Sequence, residues 1–198
     1  MTDGRDEADT DGGAHGESTA DAQAGEHARA GEHDEGTGDA PEQLTHTDDS
    51  GEAQMVDVGA KPDTARRAVA RGELRLQPST VAAVRASDVA KGDVLATARI
   101  GAVQAVKHTW ETIPLCHQIP ITNVDTEFDL HEERIVLTVA VETTGKTGCE
   151  MEALQGVTTG LNTVVDMVKA AEKDEEGGYP TLELGDVRVV TKEKRPPE

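Results

Sequence analysis

Large aromatic side chains are almost missing from this chain: one Trp, one Tyr and one Phe among 198 residues. Two cysteines, Cys116 and Cys149, are too few for a disulfide framework. No apolar run approaches the roughly 18 residues needed to span a membrane, and the N-terminus lacks the apolar stretch of a secretory signal. Both absences point to a soluble cytoplasmic protein with no membrane partner. Basic residues are also scarce, 19 Lys and Arg against 39 Asp and Glu, for a net charge of −20. That balance argues against nucleic-acid binding, which needs a basic face.

The acids are unevenly spread. The first fifty residues hold 15 acidic and 2 basic side chains, no Val, Ile, Phe, Tyr or Trp, and Leu44 as their one leucine. Such a segment cannot bury enough apolar surface to offset its ordering entropy, so residues 1–45 are expected to be a disordered acidic tail. The tail histidines His15, His27, His33 and His46 invite loose metal binding at most. Residues 46–198 remain, about 150 residues, enough for one domain with a core. Eight lysines against 39 acids also fit a surface adapted to a salty cytosol, where salt screens self-repulsion.

Periodicity within 46–198 outlines the elements. Residues 68–77 alternate apolar and charged positions as a strand, and Pro78 ends it. Ser79 caps a short helix to about Val89, and Lys91-Gly92-Asp93 is a turn. A second helix is expected over about 97–111, and Pro114 and Pro120 bracket a loop. Val124, Thr126, Phe128 and Leu130 alternate with acids, turn at His131-Glu132-Glu133, and return through Ile135, Leu137, Val139 and Val141 as a hairpin. A long helix follows from about Met151 to Lys173, striped by Leu154, Val157, Leu161, Val164, Val165 and Val168. The last strand changes phase near Gly185-Asp186, the mark of a bulge. The order β-α-α-β-β-α-β predicts an α+β, ferredoxin-like fold: an antiparallel sheet with helices packed on one face.

The chemistry-bearing residues gather around two glycine turns and the long helix. Gly145-Lys146-Thr147-Gly148-Cys149-Glu150-Met151-Glu152 sets a lysine and two carboxylates before the helix. Asp166 and Lys169 lie three apart, on one helical face. A P-loop is excluded, because Ala140 stands where its first glycine belongs. Acids at a helix start also satisfy the helix dipole, and a surface Asp–Lys pair is usually only a solvated ion pair. Cys116 and His117 are poor candidates for a catalytic pair, since neighbours in an extended segment point apart. No second Cys or His stands at zinc-ligand spacing. Lys91 and Lys146 both sit in turns, where lysines brought near a triphosphate would neutralise it and crowding would lower the pKa of one. Arg66 and Arg67 contribute positive charge before the first strand.

Five separated strings in order resemble one family. They are Gly51-Glu52-Ala53 with Met55-Val56-Asp57-Val58; Lys91 to Ile100; Ile113 to His117; Gly145 to Leu154; and Asp166-Met167-Val168-Lys169-Ala170. Together they cover about residues 44–192 and are similar to cyclic pyranopterin monophosphate synthase, the MoaC family of molybdenum-cofactor biosynthesis. The resemblance implies a lyase that converts a cyclised dihydroguanosine triphosphate to cyclic pyranopterin monophosphate and releases diphosphate. It implies Asp166, Lys169 and Lys91 as catalytic. It places Leu115, Cys116, His117, Met151 and Glu152 in substrate binding, with Glu150, Lys146 and Arg66 lining the pocket. It implies no cofactor, though magnesium can accompany the triphosphate, and a homohexamer, a trimer of dimers, with sites between subunits. Gln118 stands where proline is common in relatives, and Cys149 takes a usually aliphatic place. The expectation is one cationic hollow that gathers Lys91, His117 and Asp166. A non-catalytic binding module and a nucleotide-binding regulator are the rival readings.

Overall fold

The computed structural model describes residues 51–196, all of which belong to one compact unit within Gln43–Glu198. The expected tail, 1–45, and its histidines lie outside the described residues. Strand β1 (Thr64–Arg75) is followed by helices α1 (Pro78–Ala86), α2 (Val94–Lys107) and the single turn α3 (Thr109–Thr112). Strands β2 (Ile121–Leu130) and β3 (Arg134–Gly145) form the hairpin, and α4 (Glu150–Glu172) and β4 (Glu183–Arg195) complete the order. The sheet runs β2-β3-β1-β4 with every pairing antiparallel, an α+β arrangement of the expected split type.

The inward positions of the two central strands are the core. Ala68, Ala70, Leu74, Ile135, Leu137, Val139 and Val141 are sealed against Ala153, Val157, Leu161 and Val164 of α4. The opposite sheet face is tied by charge: Arg67 sits 3.4 Å from Glu142 of β3 and 3.7 Å from Glu193 of β4. Along β4 the register slips opposite Arg71 and Glu73, and Asp186 adopts φ 52° there. This is the bulge expected near Gly185-Asp186. Several helix boundaries differ from expectation: α1 begins at Pro78 with Gln77 rather than Ser79 as its N-cap and stops at Ala86, and α2 begins at Val94, where Asp93 supplies the cap. α2 stops at Lys107 and α3 begins afresh at Thr109, because His108 leaves helical geometry at φ −115°, ψ 16°.

Helices α2 and α4 pack closely and run antiparallel. A Cβ on Gly156 would meet Val106, one on Gly160 would meet Ala102, and one on Gly101 would meet Thr163. The absence of side chains at these crossing points lets the backbones approach. The consequence for function is directional. The start of α2 lies beside the end of α4, and the end of α2 lies beside the start of α4.

Candidate active site

At the first of these ends, Asp166 is held between two lysines from different elements. Ser87 closes α1 in the left-handed region, and Gly92 at φ 98° turns the chain into α2, whose N-cap Asp93 accepts from Ala96 N–H at 2.9 Å. This tight turn presents Lys91. Its Nζ lies 3.0 Å from Asp166 Oδ2 and donates to the Asp166 carbonyl at 2.5 Å. Lys169, one turn along α4, donates to Asp166 Oδ1 at 2.8 Å. Each carboxylate oxygen therefore has its own ammonium. The hydrogen bonds from Lys169 and Lys91 hold the Asp166 carboxyl below its ordinary pKa, and Asp166 in turn raises Lys169. All three side chains face solvent, with 43%, 59% and 48% of Lys91, Asp166 and Lys169 exposed. In that setting the charges are screened, and the trio alone adds little to stability.

At the other end of the helix pair lies a cavity of about 670 Å³. Leu115, Cys116 and His117 from the loop after α3 line one wall, and Glu150, Met151 and Glu152 from the first turn of α4 line another. Glu152 is almost fully buried there, and burial, reinforced by the charge of Glu150, pushes its carboxyl up to about 7. Such a group exchanges a proton near neutral pH. Burial and then the Glu152 charge raise Cys116, while burial lifts Cys149 to about 11. Cys149 Sγ donates to the Val141 carbonyl at 3.2 Å. Both thiols are therefore protonated at neutral pH and are not nucleophiles, in keeping with the case against a Cys-His pair.

Arg66 and Lys146 shape this end without entering the cavity wall. Arg66 donates to the carbonyls of Gly145 at 3.4 Å and Lys146 at 3.0 Å, which fastens the glycine-hinged loop to β1. Lys146 Nζ donates to the Lys61 carbonyl at 2.7 Å and sits 3.8 Å from Asp63. Within one chain Lys91 and Lys146 are thus at opposite ends of the helix pair and are not crowded together. Four residues escaped the sequence reading. Val56, Val58 and Lys61 of the segment before β1 line the cavity, and Lys192 of β4 forms an ion pair with Glu150. Their one sequence signal was that Val56 and Val58 lie in a string shared with the family. Among the described residues no group of three His, Cys, Asp or Glu side chains is arranged to hold a metal ion.

The expected single cationic hollow is not formed within one chain. Asp166 lies 14 residues beyond Glu152 on α4, which at 1.5 Å per residue is roughly 21 Å along the axis. Lys91, Asp166 and Lys169 converge at one end. His117 converges with Glu150 and Glu152 at the other, in a cavity of mixed charge rather than a cationic one.

The MoaC family model matches residues 55–195, so the chain belongs to the MoaC family. A Natronomonas pharaonis protein named probable cyclic pyranopterin monophosphate synthase is 74% identical over 153 residues, 77% of this chain and 96% of its own length. A Halobacterium salinarum protein of the same name is 72% identical over 155 residues, 78% of this chain and 95% of its own. A Methanothermobacter thermautotrophicus relative, 51% identical over 152 residues, covering 77% of this chain and 95% of its own, is named a probable accessory protein of that synthase.

Proposed function

We propose that this chain is a cyclic pyranopterin monophosphate synthase of molybdenum-cofactor biosynthesis. It converts (8S)-3',8-cyclo-7,8-dihydroguanosine 5'-triphosphate to cyclic pyranopterin monophosphate with release of diphosphate. Family membership supports the reaction class. The observation that carries the site assignment is the Lys91–Asp166–Lys169 trio, with contacts of 3.0 and 2.8 Å.

The chemistry asks for what the two ends hold. Opening and reclosing a purine-derived ring moves several protons, which needs acids and bases in reach of ring nitrogens and carbons. In the trio, Asp166 fixes two ammonium groups in place, and each is a proton donor whose return depends on the same carboxylate. Closing a cyclic phosphate expels diphosphate, so cations must meet the growing negative charge. Lys91 and Lys169 serve at one end, and His117 and Lys61 at the other. Glu150 and Glu152 accept from the polar edge of the ring. The reaction balances without an electron carrier; magnesium, where present, comes with the triphosphate.

Because the two ends are separated on one chain, the complete site is assembled from two copies. An isologous pairing that sets the trio of one protomer against the cavity of its partner makes two equivalent composite sites. It also removes the trio from bulk water, which is what would strengthen its electrostatics. A homohexamer built as a trimer of such dimers satisfies this requirement. The excess of surface acid suits a salt-rich cytoplasm, and no helix among the described residues is long and apolar enough to cross a membrane.

The test is direct. Purified protein is incubated with the cyclised nucleotide, and diphosphate is measured alongside the pterin product. Wild type releases the two in equal amounts. Asp166→Asn and Lys169→Ala lower the rate by about 10²–10⁴-fold while folding normally. A silent wild type overturns the enzyme reading in favour of a non-catalytic module, and full activity in either variant overturns the site.

A further inference from the structure

Strand β4 reaches the wall of the cavity through one side chain, and a bulge aims it there. Opposite Val69 and Ala70 of β1 the β4 partners are Thr191 and Val189, so Val190 is an extra residue in the ladder. Such an insertion moves everything after it by one position, onto the other face of the sheet. It pairs Lys192 with Ala68, which faces α4 in the core, and Glu193 with Arg67 on the opposite face. In an unbroken register Lys192 would stand opposite Arg67 and point away from the helices.

On the α4 side, Lys192 makes its ion pair with Glu150 in the first turn of the helix. A second observation fixes the same carboxylate. A Cβ on Gly148 would fall on Glu150 Oε2 and lie 2.7 Å from its Cδ. The Glu150 carboxylate is therefore folded back over Gly148, in space that a side chain would fill, with the Lys192 ammonium against it. Lys192 is 65% exposed and Glu150 24%, so the pair adds little to stability. Its consequence is electrostatic. Glu150 and Glu152 are the two acids of the cavity lining. The other ionisable groups of that lining are Lys61 from the segment before β1 and Cys116 and His117 from the loop after α3, and Cys149 stands at the N-cap of α4. Both thiols are neutral. The negative charge of Glu150 is thus the one that opposes ionisation of the buried Glu152.

We propose that Lys192 is a positioning residue: it holds the Glu150 carboxylate over Gly148, offsets its charge, and so governs proton exchange at Glu152. The catalytic use of that proton rests on the lyase reading above, whereas the coupling of the three side chains does not. Titration of the Glu152 carboxyl is followed by carbon-13 NMR of glutamate-labelled protein, with its resonance assigned by its loss in Glu152→Gln. Lys192→Ala leaves Glu150 uncompensated and disfavours a second negative charge beside it, so the midpoint moves to higher pH by about one pH unit. Lys192→Arg keeps the cation and the wild-type midpoint. Glu150→Gln moves the midpoint to lower pH, and adding Lys192→Ala to it produces no further change. In the working enzyme, the limb of the pH–rate profile that belongs to Glu152 moves with the midpoint.

Equal midpoints in Lys192→Ala and wild type overturn the proposal. A full rise from Lys192→Ala when Glu150 is already glutamine means that Lys192 acts on Glu152 directly, and overturns it as well. A midpoint that moves while the pH–rate limb stays fixed overturns its catalytic part. Absence of diphosphate release by wild type removes the lyase reading instead; the NMR midpoints need no turnover and keep the two failures apart.

Discussion

The fully buried carboxylate of Glu172 accepts the backbone N–H of Gln77 through both oxygens, at 3.0 and 3.3 Å. Gln77 is the N-cap of α1, and its own side chain makes no capping bond. Glu172 therefore supplies the cap from another helix, with its negative charge at the positive end of α1. It stands three residues after Lys169, so it ties the Asp166–Lys169 end of α4 to the helix that leads into Lys91. Glu172→Ala is expected to destabilise the fold by about 2–3 kcal/mol, because a buried donor is left without a partner. Glu172→Gln retains an acceptor and costs about 1 kcal/mol. Denaturant unfolding of the three proteins checks the order, and equal midpoints would refute the capping role.

The elements of this fold were legible because their most deeply buried positions recur at strand or helix spacing. Ile135, Leu137, Val139 and Val141 alternate with less buried neighbours, and the α4 stripe repeats at helical spacing. The bulge at Asp186 showed itself as a phase change. The break between α2 and α3 did not, since neither Gly nor Pro marks His108. The start of β1 at Thr64 was also missed: Thr64–Arg67 are half-buried throughout and show no alternation. At the site, the i,i+3 pair Asp166–Lys169 followed from helical geometry, but the contact of Lys91 with Asp166 joins residues 75 apart. Only the family resemblance linked those strings. That the hollow is not closed within a single chain has a simple reason. Recognised strings carry no distances, whereas the length of α4 does.

Gly160 tests how closely α2 and α4 must approach. A Cβ there would overlap Leu137 Cδ2 and come 3.2 Å from Ala102 Cβ. Leu137 is itself fully buried and has no free space to turn into. Replacing a helical glycine by alanine gains about 1 kcal/mol of propensity, but overpacking of this kind costs about 1–3 kcal/mol. Gly160→Ala is thus expected to be destabilising by about 1 kcal/mol net, and Gly160→Val by more. A rise in the thermal midpoint of Gly160→Ala would show that the helices can separate freely.

Glu152 gives stability a pH dependence of definite sign. Its carboxyl stands at about 7 in the fold against an ordinary value of 4.5, burial being the main cause. The folded protein therefore holds a proton that the unfolded chain has lost between those values. Its contribution to stability is fully present below about pH 4.5 and is lost as pH rises toward 7. The difference corresponds to about 3 kcal/mol across the window. Glu152→Gln removes this component, so the gap in unfolding free energy between variant and wild type should move in favour of the variant from pH 5 to pH 7. Parallel curves would mean that Glu152 titrates normally.

Separation of the two half-sites along α4 makes a prediction that no single-chain site would make. Asp166→Asn destroys the trio and leaves the cavity intact, whereas His117→Ala does the reverse. If each working site takes its trio from one protomer and its cavity from the partner, either variant alone is inactive. Unfolding and refolding the two together at equal concentration makes mixed dimers as half of the population. Each mixed dimer has one site built from two intact halves and one built from two damaged halves. About a quarter of all sites should then be whole, and diphosphate release should recover to about a quarter of the wild-type rate. A doubly substituted chain mixed with wild type supplies the control: its mixed dimers contain no intact site, because each site takes one damaged half. Activity that stays at the level of the separate variants after mixing would place both half-sites on the same chain, which would then have to bend α4 or close its loops across roughly 21 Å to join them.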